Sequence, residues 1–321
     1  MRRIALLTSG GDAPGMNAAI RGVVRCGNYL HMEVYGIERG YDGLIKGNLK
    51  RMDSRSVSDI IQKGGTILKT ARCPEFNEEK GIRAGAEVLK AYGIEGLIVI
   101  GGDGSFRGMR DLNKLCGIPS VGIPGTIDND LAYTDYTLGF DTAVNTVVDA
   151  INKLRDTMTS HDRACIIEVM GRKCGDIALF SGVAGGAESI VVPEHEYNID
   201  DICDKMRRNA IKGKVSDIIV LAEGVCSCDE LKKEIESRIN IVVRTVKLGY
   251  IQRGGSPTVG DRVFAARCAD LAVNLLAGDI QDSRVVGVSG GKMVSLNVEE
   301  ALAMKNEFDE KLYSIAGKLA F

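Results

Sequence analysis

The sequence predicts an α/β protein, in which helices cover both sides of mostly parallel sheets. Short apolar runs alternate with amphipathic stretches along most of the 321 residues. These runs lack the clean polar and apolar alternation of a half-exposed strand, which favours strands buried on both faces. Glycine is abundant, at 39 residues, and several glycines follow directly after a predicted strand. Such glycines fit tight turns and close backbone approaches to a ligand.

The individual elements follow from the spacing of apolar residues. The predicted strands are residues 4–7, 97–100, 121–123, 164–169, 217–222 and 285–288, and the predicted helices are residues 17–30, 105–115 and 141–156. In the last of these helices, Val144, Val147, Val148, Ile151 and Leu154 fall on one helical face. The length of the chain indicates about two domains.

Composition argues against several classes of protein. The formal net charge of -2 is unlike that of a general nucleic-acid binder. No apolar run reaches the length of a membrane span, and the apolar N-terminal stretch is too short for a signal peptide. The nine cysteines lack Cys-x-x-Cys spacing and fit a reducing compartment. We therefore expect a cytoplasmic protein with no nucleic-acid or membrane partner.

Four polar or glycine-rich turns follow predicted strands, at the edge where open α/β sheets bind ligands. Their sequences are TSGGD (8–12), GGDGS (101–105), PGTIDND (124–130) and MGR (170–172). The backbone amides of Gly10 and Gly11, ahead of a helix, can approach phosphate oxygens, although a plain tight turn explains them equally well. Asp103 can hold Mg²⁺, with a helix cap as the alternative.

The third turn is the most informative of the four. Asp128 and Asp130 stand two residues apart, and Thr126 stands two residues before Asp128. An extended chain would place these side chains on one side, where a carboxylate could accept the proton of a sugar hydroxyl that attacks phosphorus. The alternative is a solvated turn. Arginines could clamp phosphate oxygens or be surface charges, and they are Arg72, Arg163, Arg172, Arg244 and Arg253.

These motifs together resemble a known family. TSGGDAPGMNAAIR, IGGDGS, PGTIDND, MGR and IQRGGSP occur in the order seen in bacterial-type ATP-dependent phosphofructokinases, over nearly the whole chain. PGTIDND and IQRGGSP together are highly specific, whereas GGDG also occurs in other kinases. The resemblance implies a phosphofructokinase fold of two similar three-layer α/β/α domains. It also implies transfer of a phosphate from ATP to the 1-hydroxyl of fructose 6-phosphate, a step of glycolysis.

The resemblance implies roles for individual residues. The residues expected to bind ATP are Gly11, Arg72, Cys73, Gly102, Asp103, Gly104, Ser105 and Gly108, with Asp103 holding Mg²⁺. Thr126, Asp128 and Asp130 would surround the attacking hydroxyl, with Asp128 as base and Arg172 countering the developing charge. Gly11 and Arg72 would meet the transferring phosphate. The residues expected to bind the sugar phosphate are Thr126, Asp128, Arg163, Met170, Gly171, Arg172, Glu223, Arg244, Tyr250 and Arg253.

The resemblance also implies a domain plan and an assembly. Residues 1–140 plus about 256–305 would bind Mg-ATP, and residues 141–255 plus about 306–321 would bind the sugar phosphate. In this family, Arg163 and Arg244 come from a neighbouring subunit, which implies a homotetramer with shared active sites. Relatives that use pyrophosphate carry larger, charged residues where this chain has Gly104 and Gly125. ATP is therefore the expected donor, and pyrophosphate is the alternative.

Several positions depart from the family pattern. Tyr250 replaces a histidine, so another acceptor such as tagatose 6-phosphate or sedoheptulose 7-phosphate stays open, and Cys73 and Arg107 leave base selectivity open. The residues that match the family's effector pocket are Arg21, Arg25, Ser58, Arg155, Glu188 and Lys214. Ser54, Val215 and Ser216 replace basic groups there, which predicts weak or absent control by ADP or phosphoenolpyruvate. A further alternative is an inactive nucleotide-binding regulatory subunit.

Overall fold

A computed structural model describes residues 1–161, 163–214 and 216–320. The described strands are β1 (Arg3–Thr8), β2 (Glu33–Ile37), β3 (Leu49–Met52), β4 (Gly96–Gly101), β5 (Ser120–Pro124), β6 (Ala164–Val169), β7 (Ser189–Val191), β8 (Ile218–Ala222), β9 (Val243–Lys247), β10 (Ser283–Ser289) and β11 (Lys292–Asn297). The described helices are α1 (Met16–Tyr29), α2 (Gly40–Ile45), α3 (Glu79–Ala91), α4 (Asp103–Cys116), α5 (Phe140–Thr159), α6 (Asp176–Ala184), α7 (Ile199–Ile211), α8 (Cys228–Arg238), α9 (Val259–Ala277), α10 (Val298–Ala303) and α11 (Glu310–Leu319). Short 3₁₀ segments span Pro74–Asn77 and Gly249–Arg253.

The chain divides into two compact units. The first unit comprises Met1–Ile127, Leu131–Thr142 and Arg253–Asn306, and the second comprises Asp128–Asp130, Ala143–Gln252 and Glu307–Phe321. Each unit is therefore built from separate stretches of the chain. The assignment of ATP to one domain and the sugar phosphate to the other stays a prediction.

The first unit is built on a sheet with the strand order β11-β10-β5-β4-β1-β2-β3. Its central strands are parallel, and the two edge pairs, β2 with β3 and β10 with β11, are antiparallel. Every residue of β4 is buried, as expected for a strand covered on both faces. Leu97 and Val99 pack with residues of α3 and α4 on one face. On the other face Gly96 lies against Leu276 of α9, and α1 packs on α9.

The second unit is built on a parallel sheet with the strand order β7-β8-β6-β9. Ile166, Ile219 and Leu221 pack with apolar residues of α7 and α8 on one face. Helix α6 packs against β7 and β8, and Gly182 lies in contact with Ile190. In a parallel sheet covered by helices, ligand-binding turns lie at the carboxyl ends of the strands.

The predicted α/β class with mostly parallel sheets is confirmed, and each predicted strand and helix is present within a residue or a few of its predicted bounds. The prediction omitted β2, β3, β7, β9 and β11, and it named no helix besides α1, α4 and α5. Strands β3, β9 and β11 have few buried residues, so their sequences carry little apolar signal. Along the described chain, no helix is both long and apolar enough to cross a membrane.

Candidate active site

The turn between β1 and α1 is shaped by glycine and by an arginine that packs on it. Gly10 and Gly15 have φ angles of 87° and 97°, a left-handed conformation that favours glycine. The Nη1 group of Arg253 donates a hydrogen bond to the carbonyl oxygen of Asp12 at 3.2 Å. A side chain at Gly11 would collide with the guanidinium group of Arg253. The turn therefore places glycine backbone and a cation side by side, which suits a phosphate group.

The turn between β4 and α4 presents a carboxylate at a helix start. Asp103 is the first residue of α4, where the helix dipole favours negative charge. Its carboxylate accepts hydrogen bonds from Nε of Arg107 at 2.8 Å and from Nη2 at 3.2 Å. The side chain of Asp103 is 41% exposed, so this ion pair is weak and the carboxylate is open to solvent.

The single carboxylate of Asp103 suits Mg²⁺, which shares its ligands with water and substrate, better than a metal held by protein ligands alone. Among the described residues, no group of three or more His, Cys, Asp or Glu side chains could hold a metal ion. Mg²⁺ in kinases takes one or two carboxylates and shares its other positions with water and substrate phosphates. An exposed carboxylate beside a glycine-rich turn meets this requirement.

Gly104 in α4 and Gly125 after β5 differ in the space available for a side chain. A methyl group built at Gly104 would meet nothing within 4 Å. One built at Gly125 would lie 3.0 Å from Cγ2 of Ile100 and 3.1 Å from Cε of Met16, so these side chains would have to shift slightly. The space beside Gly104 is thus the open one.

Two other residues predicted to bind ATP have clear packing roles. A methyl group at Gly108 would lie 3.1 Å from Tyr41, whose ring stacks on Phe76 at a centroid distance of 4.0 Å. The hydroxyl of Tyr41 donates a hydrogen bond to the carbonyl oxygen of Ser105 at 2.6 Å. The aromatic pair therefore supports the first turns of α4, and contacts of Ser105 and Gly108 with a nucleotide stay predictions.

Arg72 and Cys73 complete the predicted donor-side residues of the first unit, which also contains Thr126, predicted to lie beside the attacking hydroxyl. Arg72 is exposed, and Cys73 is half-buried just before the 3₁₀ segment Pro74–Asn77. Burial is the main cause that raises the pKa of the Cys73 thiol, so it is a poor nucleophile. Thr126 is buried. It lies beside Gly102, where a methyl group built on the glycine would be 3.8 Å from Cβ of Thr126. The structure thus brings Thr126 next to the GGDGS turn.

In the second unit, one arginine faces both carboxylates of the PGTIDND turn. Nε of Arg172 lies 3.6 Å from Oδ2 of Asp128, and its Nη1 lies 3.4 Å from Oδ2 of Asp130. The expectation that an extended chain aligns the two acids is wrong, because Asn129 has a φ angle of 55°. The chain turns at Asn129 in the left-handed conformation, which asparagine tolerates, and both carboxylates reach the same guanidinium group.

The turn that carries Arg172 is itself unusual in its backbone. Gly171 has a φ angle of 138°, and a side chain there would collide with the carbonyl oxygen of Cys174. Arg172 has a φ angle of 57°, which is uncommon for a residue with a side chain. Its backbone N–H donates a hydrogen bond to Oε1 of Glu223 at 2.9 Å. Glu223, predicted to bind the sugar, therefore also holds Arg172 in this conformation.

Gln252 is a residue that the sequence reasoning missed. Its side chain is fully buried, and its Oε1 accepts a hydrogen bond from the backbone N–H of Met170 at 3.2 Å. Its Nε2 donates to the carbonyl oxygen of Gly249 at 3.1 Å. Gln252 thus ties the end of β6 to the segment that carries Tyr250, whose side chain is 83% exposed. Gln252 belongs to the IQRGGSP motif, which is the sequence signal for it.

Two predicted phosphate ligands lie apart from Arg172 in the second unit. Arg163 directly precedes β6, and Arg244 pairs with Cys165 in the register of β6 and β9. Met170, Gly171 and Arg172 follow the opposite end of β6. A strand of six residues is about 20 Å long. Arg163 and Arg244 therefore lie near the beginning of β6, whereas Arg172 lies beyond its end.

The residues that match the family's effector pocket form one group in each unit. In the first unit, Arg21 and Arg25 lie one turn apart on α1, and Ser58 donates a hydrogen bond from its hydroxyl to the carbonyl oxygen of Ser54 at 3.3 Å. Asn28 of α1 donates a hydrogen bond to the hydroxyl of Ser54 at 3.4 Å. The loop with both serines therefore lies beside the end of α1.

In the second unit, the buried carboxylate of Glu188 already binds the cations of its group. Arg155 lies 3.3 Å from Oε1 of Glu188, and the ammonium group of Lys214 contacts the same oxygen. The hydroxyl of Ser216 lies 3.2 Å from that of Thr159, and Val215 lies outside the described residues. The response to ADP or phosphoenolpyruvate stays a prediction.

The glycine-rich turns, the exposed carboxylate and the arginine between two acids define an α/β enzyme of phosphate transfer. The profile of the family described as phosphofructokinase matches residues 3–276. The chain therefore belongs to the phosphofructokinase family.

The relatives agree with this assignment. The chain is 60% identical over 316 residues to the ATP-dependent 6-phosphofructokinase of Clostridium botulinum, which covers 98% of each chain. It is 56% identical to the enzyme of the same name from Clostridium tetani over the full length of both. The solved phosphofructokinase of Saccharomyces cerevisiae matches with a TM-score of 0.91 and 31% identity, over all of this chain and 47% of that one. A pyrophosphate-dependent phosphofructokinase from Marinobacter aquaeolei matches with a TM-score of 0.85 over 96% of this chain and 86% of that one, but at 20% identity it shows the fold alone.

Proposed function

We propose that this chain transfers the terminal phosphate of Mg-ATP to the 1-hydroxyl of fructose 6-phosphate, which yields fructose 1,6-bisphosphate and ADP. The observation that carries the proposal is the contact of Arg172 with Asp128 and Asp130. A buried carboxylate beside an exposed guanidinium group offers a base for the sugar hydroxyl and a counter-charge for the phosphate. Curated relatives at 60% and 56% identity carry this activity in their names.

In this mechanism, Asp128 accepts the proton of the sugar hydroxyl as the oxygen attacks phosphorus. Asp128 is buried, so its position is well defined, whereas Asp130 keeps part of its surface in solvent and orients Arg172. Arg172 stabilises the negative charge on the transferring phosphate. The transfer runs in line and without a covalent intermediate, so positioning and electrostatic stabilisation supply most of the rate.

On the donor side, the backbone of Gly11 and the side chain of Arg72 would contact the phosphate that is transferred. Asp103 would hold Mg²⁺, which when bound neutralises phosphate charge. The absence of a side chain at Gly104 leaves space for the remaining part of the nucleotide, and this supports ATP over pyrophosphate as donor.

We further propose a homotetramer with shared active sites. Arg163 and Arg244 lie at the edge of the second unit's sheet opposite to Arg172, so they serve the site of a neighbouring copy. The described cysteines are all free thiols, which supports a cytoplasmic location because thiols persist in a reducing compartment.

The test is an assay of the purified protein with Mg-ATP and fructose 6-phosphate, with the product identified by ³¹P NMR. We expect two phosphate esters on one fructose and stoichiometric ADP. Tagatose 6-phosphate and sedoheptulose 7-phosphate serve as comparison acceptors, because the exposed Tyr250 stands where the family has histidine. A higher kcat/KM with either of them would replace the proposed acceptor, and no transfer to any acceptor would favour a regulatory subunit.

A further inference from the structure

The turn between Asp128 and Asp130 is anchored from below by a buried hydrogen bond. Asn129 donates from Nδ2 to Oδ2 of Asp176 at 2.7 Å, and both side chains are buried. The thiol of Cys174 contacts the carbonyl oxygen of Asn129 at 3.8 Å. The residue between the two acids is therefore fixed by a side chain that lies 47 positions away in the sequence.

Asp176 contacts the turn that carries Asp128 and Asp130, and it lies close in sequence to Arg172. It is the first residue of α6, and this helix begins four residues after Arg172. The start of a helix favours a carboxylate, and a charge-assisted hydrogen bond is stronger and shorter than a neutral one. Burial is the main cause that raises the pKa of Asp176, and the hydrogen bond from Asn129 opposes it. The bond therefore lies in a water-poor environment, where it is directional and rigid.

We propose that Asp176 is a positioning residue for phosphoryl transfer, which acts through Asn129 to hold Asp128 and Asp130 against Arg172. This inference rests on the function proposed above. Asp176 itself touches none of the reacting atoms; it sets the conformation of Asn129, and that conformation sets where both carboxylates point. A displacement of about 1 Å at a reacting group can lower a rate by about 100-fold.

The first test compares Asp176→Ala with the conservative variant Asp176→Asn. We expect Asp176→Ala to lower kcat by about 10- to 100-fold while the KM for ATP stays within about twofold of wild type. Asp176→Asn keeps an oxygen that accepts the hydrogen bond from Asn129, so we expect it to recover most of the lost kcat. Equal kcat values for Asp176→Ala and wild type would overturn the inference.

A double-mutant cycle separates this pathway from a general loss of structure. Asn129→Gly removes the donor, while glycine keeps the left-handed backbone that this position requires. If both residues act through one hydrogen bond, the double variant loses about as much kcat as the more damaged single variant. Independent, multiplying losses would overturn the inference. Should the alanine variant fail to fold, Asn129→Gly alone still tests the inference, and a kcat equal to that of wild type would overturn it.

The second unit offers a matched control. Asn209 donates from Nδ2 to Oδ1 of Asp217 at 2.6 Å, and Asp217 is 5% exposed against 9% for Asp176. Burial likewise is the main cause that raises the pKa of Asp217. We expect Asp217→Ala to lower the melting temperature about as much as Asp176→Ala, with a near-normal kcat. An equal loss of kcat in both would overturn the positioning role, whereas an inactive wild-type protein would overturn the proposed function itself.

Discussion

At the scale of residues, two carboxylates face the same guanidinium group from different degrees of burial. The side chain of Asp128 is 3% exposed and that of Asp130 is 25% exposed, although both oxygens lie at similar distances from Arg172. A general base must be held in one position and shielded from competing water. The difference in burial therefore supports Asp128, rather than Asp130, as the proposed base.

The role of Asp128 can be tested by substitution. We expect Asp128→Ser to lower kcat by about 100- to 10,000-fold, which is the usual worth of a general base, with a much smaller change in the KM for fructose 6-phosphate. Steady-state kinetics with both substrates varied give the two constants. Asp130→Ser is the matched control and should lose less. A kcat within a few-fold of wild type for Asp128→Ser would remove Asp128 from the role of base.

Sequence reasoning identified these residues but could not supply their conformations. The motif PGTIDND names Asp128 and Asp130, yet it carries no direct information on the left-handed backbone of Asn129. The side chain of Asn129 donates a hydrogen bond to Asp176, which lies 47 positions away in the sequence. In the same way, the contact of Glu223 with the backbone of Arg172 joins residues 51 positions apart. Long-range hydrogen bonds of this kind are set by tertiary packing.

At the scale of elements, the start of α5 is capped by an acid from another helix. The carboxylate of Asp261, in the first turn of α9, accepts hydrogen bonds from the backbone N–H groups of Gly139 at 2.7 Å and Thr142 at 3.0 Å. It also accepts one from the hydroxyl of Thr142. The first N–H groups of a helix need such acceptors. One buried carboxylate therefore joins the start of α5 to α9 within the first unit.

Asp261 predicts a pH dependence of stability. Burial is the main cause that raises the pKa of its carboxyl group in the folded chain, so folding takes up a proton above the ordinary pKa of about 3.9. The protonated carboxyl group therefore adds to the free energy of unfolding at low pH. This contribution is lost as the pH rises through the raised pKa of the folded chain. Asp261→Asn has no such titration.

The measurement is the free energy of unfolding of wild type and Asp261→Asn from urea titrations between about pH 4 and pH 7. We expect the difference, wild type minus variant, to fall as the pH rises, with a slope of at most about 1.4 kcal/mol per pH unit. All other titrating groups are shared by both proteins and cancel. A difference that stays constant or grows with pH would contradict the assignment.

Elements were predictable where burial produces a strong apolar pattern. The central strands β1, β4, β5, β6 and β8 are almost fully buried, and each was predicted from its apolar run. Strand β9 has the sequence VRTVK and only its first residue is buried, so its pattern is weak. Its place beside β6 is set by pairing with a distant strand, which local periodicity does not encode.

At the scale of the whole molecule, the positions of Arg163 and Arg244 predict that activity depends on association. Both lie near the beginning of β6, about 20 Å along this strand from the end that leads to Arg172. A single chain therefore cannot bring them to its own Arg172 while the sheet is intact. A symmetric assembly of identical chains can supply them from a neighbour.

Mixed assemblies test this dependence. Asp128→Ser and Arg244→Ser should each be inactive or nearly so when they are expressed alone. Co-expression should restore about a quarter of the wild-type rate, since a shared site then has an even chance of the intact residue at each of two positions. Co-expression of Asp128→Ser with Arg172→Ser is the control and should restore nothing, because both lie in the same chain's part of the site. Equal recovery in both mixtures would contradict shared sites.

The central claim is that this member of the phosphofructokinase family uses ATP as its donor, and the most direct test is a side-by-side assay of fructose 6-phosphate phosphorylation with Mg-ATP and with Mg-pyrophosphate. The open space beside Gly104 predicts turnover with ATP and none above background with pyrophosphate. Turnover with pyrophosphate alone would contradict the account.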